Sequence, residues 1–133
     1  MYLTNHIISN LVCKINNGSK RRLRFIIIDY NTKLLDLLNI LYINGVIRSY
    51  HIIDSNKLRI YLKYNMRSDR IRLTIISKPG NKIYWSLNKL SQYYNKNNFS
   101  GFYIISTIKG LRTSDYCLIN KMIGGEILIK VEI

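Results

Sequence analysis

Hydroxyl side chains, a lysine and a glycine lie close together in the last third of the chain, at Ser106, Thr107, Lys109 and Gly110. Serine and threonine hydroxyls donate and accept hydrogen bonds, so they suit base edges, phosphate oxygens and the 2′-hydroxyl of RNA. Lysine supplies a charge for phosphate, and glycine lets the backbone approach a ligand closely. Taken alone, the four residues favour an ordinary turn after a strand, because such short polar motifs are weak indicators.

An isolated acid, Glu126, follows the glycine pair Gly124 and Gly125. Its carboxylate could accept a hydrogen bond from a base amino group or orient a neighbouring basic side chain. A surface ion pair explains the same residue equally well. From the residues alone, both interpretations stay open.

The charge of the chain indicates its partner more strongly. Lys and Arg number 21 against 7 Asp and Glu, which gives a formal net charge of +14. Self-repulsion of this size opposes compact folding unless anions neutralise it. Nucleic acid is therefore the expected partner, and an anionic membrane surface comes second. Three basic segments could neutralise phosphates: residues 20–24, 67–72 and 78–82.

An enzymatic function has little support in the sequence. It contains no glycine-rich phosphate loop, no zinc-ligand spacing and no paired carboxylates. Cys13 and Cys117 are far apart and belong to no Cys/His cluster, so we expect reduced thiols. No apolar run approaches the length of a membrane span. We expect no catalysis, no cofactor, no metal, no small-molecule substrate and no membrane partner.

Apolar periodicity predicts the order helix, strand, helix, strand, strand for the first half of the chain. The first helix would end at Asn17 and Gly18, and the apolar run of residues 25–28 predicts a buried strand. Leucines spaced at 34, 37, 38 and 41 predict a second helix. Residues 57–64 alternate, which is typical of a half-buried strand with a basic, aromatic outer face.

The second half reads as mostly strand with short helices. We expect strands at residues 70–75, 102–106 and 126–133 and a helix around residues 87–94. A helix of about ten residues would begin at a Thr113 or Ser114 cap and end at Gly124. The chain is therefore expected to be α+β, with two small α+β domains: residues 1–66, ordered α-β-α-β-β, and residues 67–133, the RNA-binding domain.

The order of these elements and three motifs resemble the small-subunit ribosomal protein S-eight family. That family's signature runs Ser-Thr-Ser-Lys-Gly, a two-residue step, Thr-Asp, a helix and Gly-Gly-Glu. The matching stretch here runs from Ser106 to Glu126, and residues 77–84 resemble the family's Ser-Arg-Pro-Gly turn. Residues 10–18 are similar to its first-helix motif. The resemblance covers nearly the whole chain in the same order.

The resemblance implies a structural protein that binds the central domain of small-subunit ribosomal RNA, beside neighbouring small-subunit ribosomal proteins. It also implies a set of RNA-binding residues: Ser106, Thr107, Ile108, Lys109, Gly110, Gly125, Glu126, Ser77, Lys78, Pro79, Gly80, Tyr84, Lys14 and Asn17. Three positions depart from the family pattern. Ile108 stands where the family has serine, Ser114 where it has aspartate, and Cys13 where it has a polar threonine.

The composition predicts an organellar host. The chain has 24 isoleucines, 15 asparagines and no alanine, a bias that A/T-rich codons explain. No Arg- and Ser-rich leader precedes the first periodic segment, so we expect an organelle-encoded protein of a mitochondrial ribosome. The alternatives are a general RNA-binding or chaperone module, a membrane-surface protein and a nuclease.

Overall fold

The computed structural model of the chain describes residues 5–32, 34–64, 71–78, 80–96, 101–121 and 125–132. The chain divides into two compact units that meet in sequence between Arg72 and Leu73. Helices and antiparallel sheets occur in both units, which confirms the α+β class. The predicted domain boundary, between residues 66 and 67, lies outside the described residues.

The first unit has the predicted order of elements. These are α1 (Asn5–Lys20), β1 (Phe25–Asp29), α2 (Leu34–Ile43), β2 (Ile47–Ile52) and β3 (Lys57–Leu62). The strands form an antiparallel sheet in the order β1-β3-β2. Helix α1 packs on β1 and β3, and α2 packs on β2. Apolar side chains from the helices and from one face of the sheet form the core.

Helix α1 does not end at Asn17 and Gly18 as the sequence suggested. It continues to Lys20, and Arg22 then takes the left-handed conformation with φ +55°. Gly18 is a packing residue: a Cβ there would lie 2.7 Å from Ile26 Cγ2 and 2.9 Å from Leu62 Cδ1. The missing side chain therefore lets the helix approach the sheet closely, which a local stop signal could not reveal.

Strand β1 is half-buried, so the prediction of a buried strand was wrong. Ile26 and Ile28 are in the core, whereas Phe25 and Ile27 are 38% and 42% exposed. The reason is that the two helices cover one face of this sheet. The described part of the first unit places no element over the other face.

The second unit is built around its last strand. Its elements are β4 (Arg72–Ile75), β5 (Tyr84–Trp85), α3 (Leu87–Lys96), β6 (Gly101–Thr107), β7 (Gly110–Thr113), α4 (Ser114–Ile119) and β8 (Gly125–Glu132). The sheet has the order β4-β8-β6-β7, and β5 also pairs with β8. A buried cluster fills its core: Trp85, Leu90, Tyr103, Ile105, Cys117 and Ile127.

Helix α4 begins as predicted and ends early. Thr113 is its N-cap, and its hydroxyl accepts a hydrogen bond from Tyr116 N at 3.3 Å. The helix has six residues instead of about ten, because Asn120 caps it and Lys121 adopts φ +52°. The predicted terminator, Gly124, lies outside the described residues. Strand β7, just before the helix, was not predicted.

The hydroxyl of Ser114 joins this helix to the sheet. Ser114 is fully buried, and its Oγ accepts a hydrogen bond from Tyr103 N at 3.1 Å. The register of β6 with β7 begins at Ile104, and the serine hydroxyl accepts from the amide just before it, in a residue of the core cluster.

Ser114→Ala is expected to destabilise the chain by about 1–3 kcal/mol, since it removes the buried hydrogen bond from the Tyr103 amide to the Ser114 hydroxyl. Urea unfolding followed by circular dichroism measures the change in the free energy of unfolding. Ser55→Ala is the matched control, because Ser55 is exposed in a turn and its loss should change stability little. Equal stability of the two variants would contradict the assigned role of Ser114.

Candidate RNA-binding surface

The polar motif of residues 106–110 forms the tip of a β-hairpin. Strands β6 and β7 pair from Ile104 to Thr113, and Thr107 pairs with Gly110 across a two-residue loop. The Thr107 hydroxyl donates to Gly110 O at 2.7 Å and accepts from Lys109 N at 3.2 Å. Gly110 has φ +100°, a conformation that favours glycine. The threonine and the glycine therefore shape the loop itself.

The two loop residues project away from the protein. Ile108 is 99% exposed, and Lys109 is exposed as well. The tip thus offers a hydrocarbon side chain and a cation on a hairpin whose backbone is fixed by the Thr107 hydrogen bonds. Such a tip can contact a ribose or base face and a phosphate together.

A row of polar side chains leads from the hairpin across the sheet. Glu126 in β8 pairs with Ser106 on one side and with Tyr84 on the other. Direct cross-strand partners project from the same side of a sheet, so the hydroxyl, carboxylate and phenol face the same way. Tyr84 is 63% exposed, and the other two are partly exposed. This arrangement of donors and acceptors suits the minor-groove edge of a folded RNA.

Glu126 is not held in an ion pair by any residue in the described ranges. The surface ion pair left open by the sequence therefore has no counterpart there. Its carboxylate stays available in a unit that is otherwise rich in cations.

Gly125 sets the spacing of this row. A Cβ at Gly125 would lie 2.6 Å from Ser106 O and 2.8 Å from Ile105 Cγ2. Contacts of that length with backbone do not occur, so a larger residue would push β8 away from β6. The neighbouring Gly124 lies outside the described residues.

In the turn after β4, one candidate residue is buried and supports the turn, and two others are exposed. Ser77 is 1% exposed, and its Oγ accepts a hydrogen bond from Ile83 N at 3.0 Å. This buried hydroxyl holds the turn and is not placed to touch a partner, contrary to a direct RNA contact. Lys78 and Gly80 are exposed, and Gly80 has φ +80°. Pro79 lies outside the described residues.

The two candidate residues of the first unit lie on the exposed side of α1, about one turn apart. Lys14 Nζ donates to Ile27 O at 3.1 Å, and Asn17 Nδ2 donates to Cys13 Sγ at 3.5 Å. Both stay exposed. The structure therefore brings the hairpin, Glu126 and Tyr84 together within the second unit, and it places Lys14 and Asn17 on α1 of the first unit.

Arg112, which no sequence motif indicated, pairs with Ile105 in the hairpin register. Its guanidinium carbon lies 5.2 Å from the centre of the Tyr116 ring, a cation–π distance. Recognising β7 would have placed this arginine beside the hairpin tip, but residues 110–113 show no alternation of apolar and polar residues.

The remaining chemistry of the described residues is unremarkable for catalysis. Cys117 is buried, and burial raises the pKa of its thiol, which disfavours the reactive thiolate. No group of metal-ligating side chains occurs among the residues that the structure covers. In the same part of the chain, every helix is too short or too polar to cross a membrane.

Comparison with known proteins supports the ribosomal resemblance. The family model of Ribosomal protein S8 matches residues 6–131. The chain is 33% identical to small ribosomal subunit protein uS8m of Acanthamoeba castellanii, over 94% of this chain and 98% of that protein. It is 34% identical to small ribosomal subunit protein uS8 of Mycoplasmoides gallisepticum, over 93% and 96% of the two chains. For the uS8 protein of Geobacter sulfurreducens the identity is 32%, over 93% and 95%. The chain therefore belongs to the ribosomal protein S8 family.

Proposed function

We propose that the chain is a structural constituent of the small subunit of a mitochondrial ribosome. There it binds the central domain of small-subunit ribosomal RNA and stabilises that fold during assembly, next to other small-subunit proteins. Membership of a ribosomal protein family supports a structural role and not an enzymatic one. The observation that carries the proposal is the exposed hairpin tip, joined to the row of Ser106, Glu126 and Tyr84.

The mechanism combines charge neutralisation with shape recognition. A net charge of +14 supplies affinity for any RNA, and this part of the affinity falls steeply with salt. The hairpin adds contacts of fixed geometry, because Thr107 holds the loop and Gly125 holds the row. Ile108 would pack against a base or ribose, Lys109 would meet a phosphate, and Glu126 would accept a hydrogen bond from a base amino group.

An organellar host and an organelle gene belong to the same proposal. The uS8m relative is a mitochondrial counterpart by its name, and bacterial uS8 proteins match at similar identity. The isoleucine- and asparagine-rich, alanine-free composition favours an A/T-rich organelle genome. Co-sedimentation of the protein with small subunits from purified mitochondria tests this part.

The rival function is a general RNA chaperone without a ribosomal site. The two functions differ in whether the chain prefers the central-domain stem over a scrambled stem of equal length, at low and near-physiological salt. A preference that survives the higher salt supports the ribosomal site. Equal binding to both stems that is lost at the higher salt would mean that the chain binds RNA only through its positive charge.

Lys109→Gln is expected to weaken binding to the central-domain stem and to reduce the slope of log affinity against log salt by about one, because one phosphate contact is lost. Filter binding over a salt series measures that slope. Lys121→Gln removes an exposed lysine of the same unit outside the hairpin, and it serves as the matched control. If the slope of log affinity against log salt is the same in both variants, Lys109 does not make the proposed phosphate contact.

Ile108→Ala is expected to weaken the same complex by about fivefold, which corresponds to partial burial of the isoleucine side chain against RNA. The free energy of unfolding should not change, since Ile108 is 99% exposed. Ile119, which is 80% exposed on α4, provides the matched Ile119→Ala control. An unchanged affinity for Ile108→Ala, at unchanged stability, would show that the hairpin tip points away from the RNA.

A further inference from the structure

One face of the sheet in the first unit, which no described element of that unit covers, carries a cluster of aromatic rings. Phe25 in β1 pairs directly with Tyr61 in β3, and their ring centres are 5.9 Å apart. His51 from β2 lies edge-on to Tyr61 at 5.6 Å. We call these three residues the ring cluster. They come from all three strands, and Phe25 and His51 are exposed.

A cation lies within the ring cluster. The guanidinium carbon of Arg59 is 4.7 Å from the centre of the Phe25 ring, and its Nη1 donates to the Tyr61 hydroxyl at 3.4 Å. Its buried Nε has no hydrogen-bond acceptor among the described residues. Nor does any carboxylate in those ranges form an ion pair with Arg59. No carboxylate of the described residues therefore compensates its positive charge.

The one carboxylate in β1, β2 and β3 is already paired. Asp29 accepts a hydrogen bond from Lys57 at 2.6 Å, and that bond lowers the pKa of the Asp29 carboxyl. The register places this pair at the far end of β1 and β3 from Phe25 and Tyr61. The ring cluster thus has cations and no free acid beside it on these strands.

A cluster of cations adjoins β1 and β3 at the end where Phe25 and Tyr61 lie. Four exposed basic residues, which we call the basic cluster, line one cleft: Arg22, Arg24, Arg48 and Lys63. Leu62 N donates to Arg24 O at 3.1 Å, so the cleft begins one residue beyond the pair of Phe25 and Tyr61. None of the four forms an ion pair with a carboxylate in the described part of the chain.

Tyr64 fixes the wall of this cleft. Its hydroxyl lies 2.5 Å from Leu23 O and 3.2 Å from Gly18 O, and it donates to these carbonyls. The guanidinium carbon of Arg22 lies 5.6 Å from the centre of the Tyr64 ring. The loop after α1, which carries Arg22 and Arg24, is therefore hydrogen-bonded to the segment that follows β3.

We propose that the ring cluster and the adjoining basic cluster together bind a short single-stranded segment of RNA, whose bases stack on the rings and whose phosphates contact the cations. Sequence-tolerant stacking on aromatic rings beside a positive groove is how proteins hold single strands. A protein partner would need carboxylates to meet Arg59 and the basic cluster, whereas RNA supplies a phosphate at every nucleotide. The site rests on the proposed function only in that its ligand is RNA. Its residues belong to the first unit, whereas the hairpin belongs to the second.

The test compares two ligands of equal charge. Fluorescence anisotropy measures binding of the full chain to a labelled eight-nucleotide RNA without secondary structure and to an abasic strand of the same length. The wild-type chain is expected to bind the RNA about tenfold more tightly than the abasic strand, since only the RNA has bases to stack. The double variant Phe25→Leu, Tyr61→Leu should lose this preference and keep the abasic affinity.

Two further variants control for folding and for exposed tyrosines in general. Tyr61→Phe keeps the ring and should keep the preference. Tyr42→Leu makes the same substitution at a tyrosine that is 50% exposed and contacts Tyr50 instead of the ring cluster. It should leave the preference unchanged. Ultraviolet crosslinking of the RNA to the peptide that contains Tyr61 would support the site directly, even if the double variant fails to fold.

Other outcomes overturn the inference. Equal wild-type affinity for RNA and abasic strand would mean that the rings do not stack on bases. Unchanged RNA preference in the double variant, together with lost association with another small-subunit protein, would make this face a protein interface. Binding to the central-domain stem, measured in parallel, separates the two proposals. If the chain prefers the true stem but binds the RNA and the abasic strand equally, only this inference is wrong. If it prefers the RNA over the abasic strand but binds the true and scrambled stems equally, only the proposed function is wrong.

Discussion

The antiparallel pairing of β6 with β8 is the contact on which the second unit depends. Strand β8 also pairs with β4 and β5, so one strand gathers segments that are distant in sequence. The two strands approach closely at Gly125, where a Cβ would lie 2.6 Å from Ser106 O. That closeness aligns Ser106, Glu126 and Tyr84, and the hairpin tip extends directly from β6. The geometry of the RNA-binding surface is therefore a property of the sheet, and a rigid sheet positions contacts better than a free loop does.

Charge is the second constraint, and it acts on both units. Seven acids cannot neutralise 21 basic residues in any fold, and pairs such as Lys57–Asp29 use up acids without changing the balance. The apolar cores must therefore offset the mutual repulsion of the surface cations. RNA that binds the folded chain and not the unfolded one would relieve that repulsion and stabilise the fold by mass action. Folding and RNA binding are thus linked through the same cations.

The sequence was sufficient where structure depends on local pattern. Helix α2 and strand β3 follow from strict periodicity, and the Thr113 cap follows from its position before a helix. The predictions that were wrong concern tertiary contacts. Gly18 lets the helix pack closely on the sheet, and β1 is half-buried because the helices cover one face of that sheet. Strand β7 exists through its register with β6, which no local pattern encodes. The family motif likewise identified Ser77 without revealing that its hydroxyl is buried.

The departures from the family pattern fall where the fold tolerates them. No hydrogen bond of the hairpin turn uses the side chain at position 108; the turn is held by Thr107 and by backbone groups of Lys109 and Gly110. Isoleucine in place of serine therefore changes only what the tip presents to RNA. At position 114 the fold requires an acceptor for the Tyr103 amide, and a serine hydroxyl supplies one where the family has a carboxylate. The two positions are thus limited by different physical requirements. The exposed position 108 is limited by what the ligand accepts, and the buried position 114 by hydrogen bonding in the core.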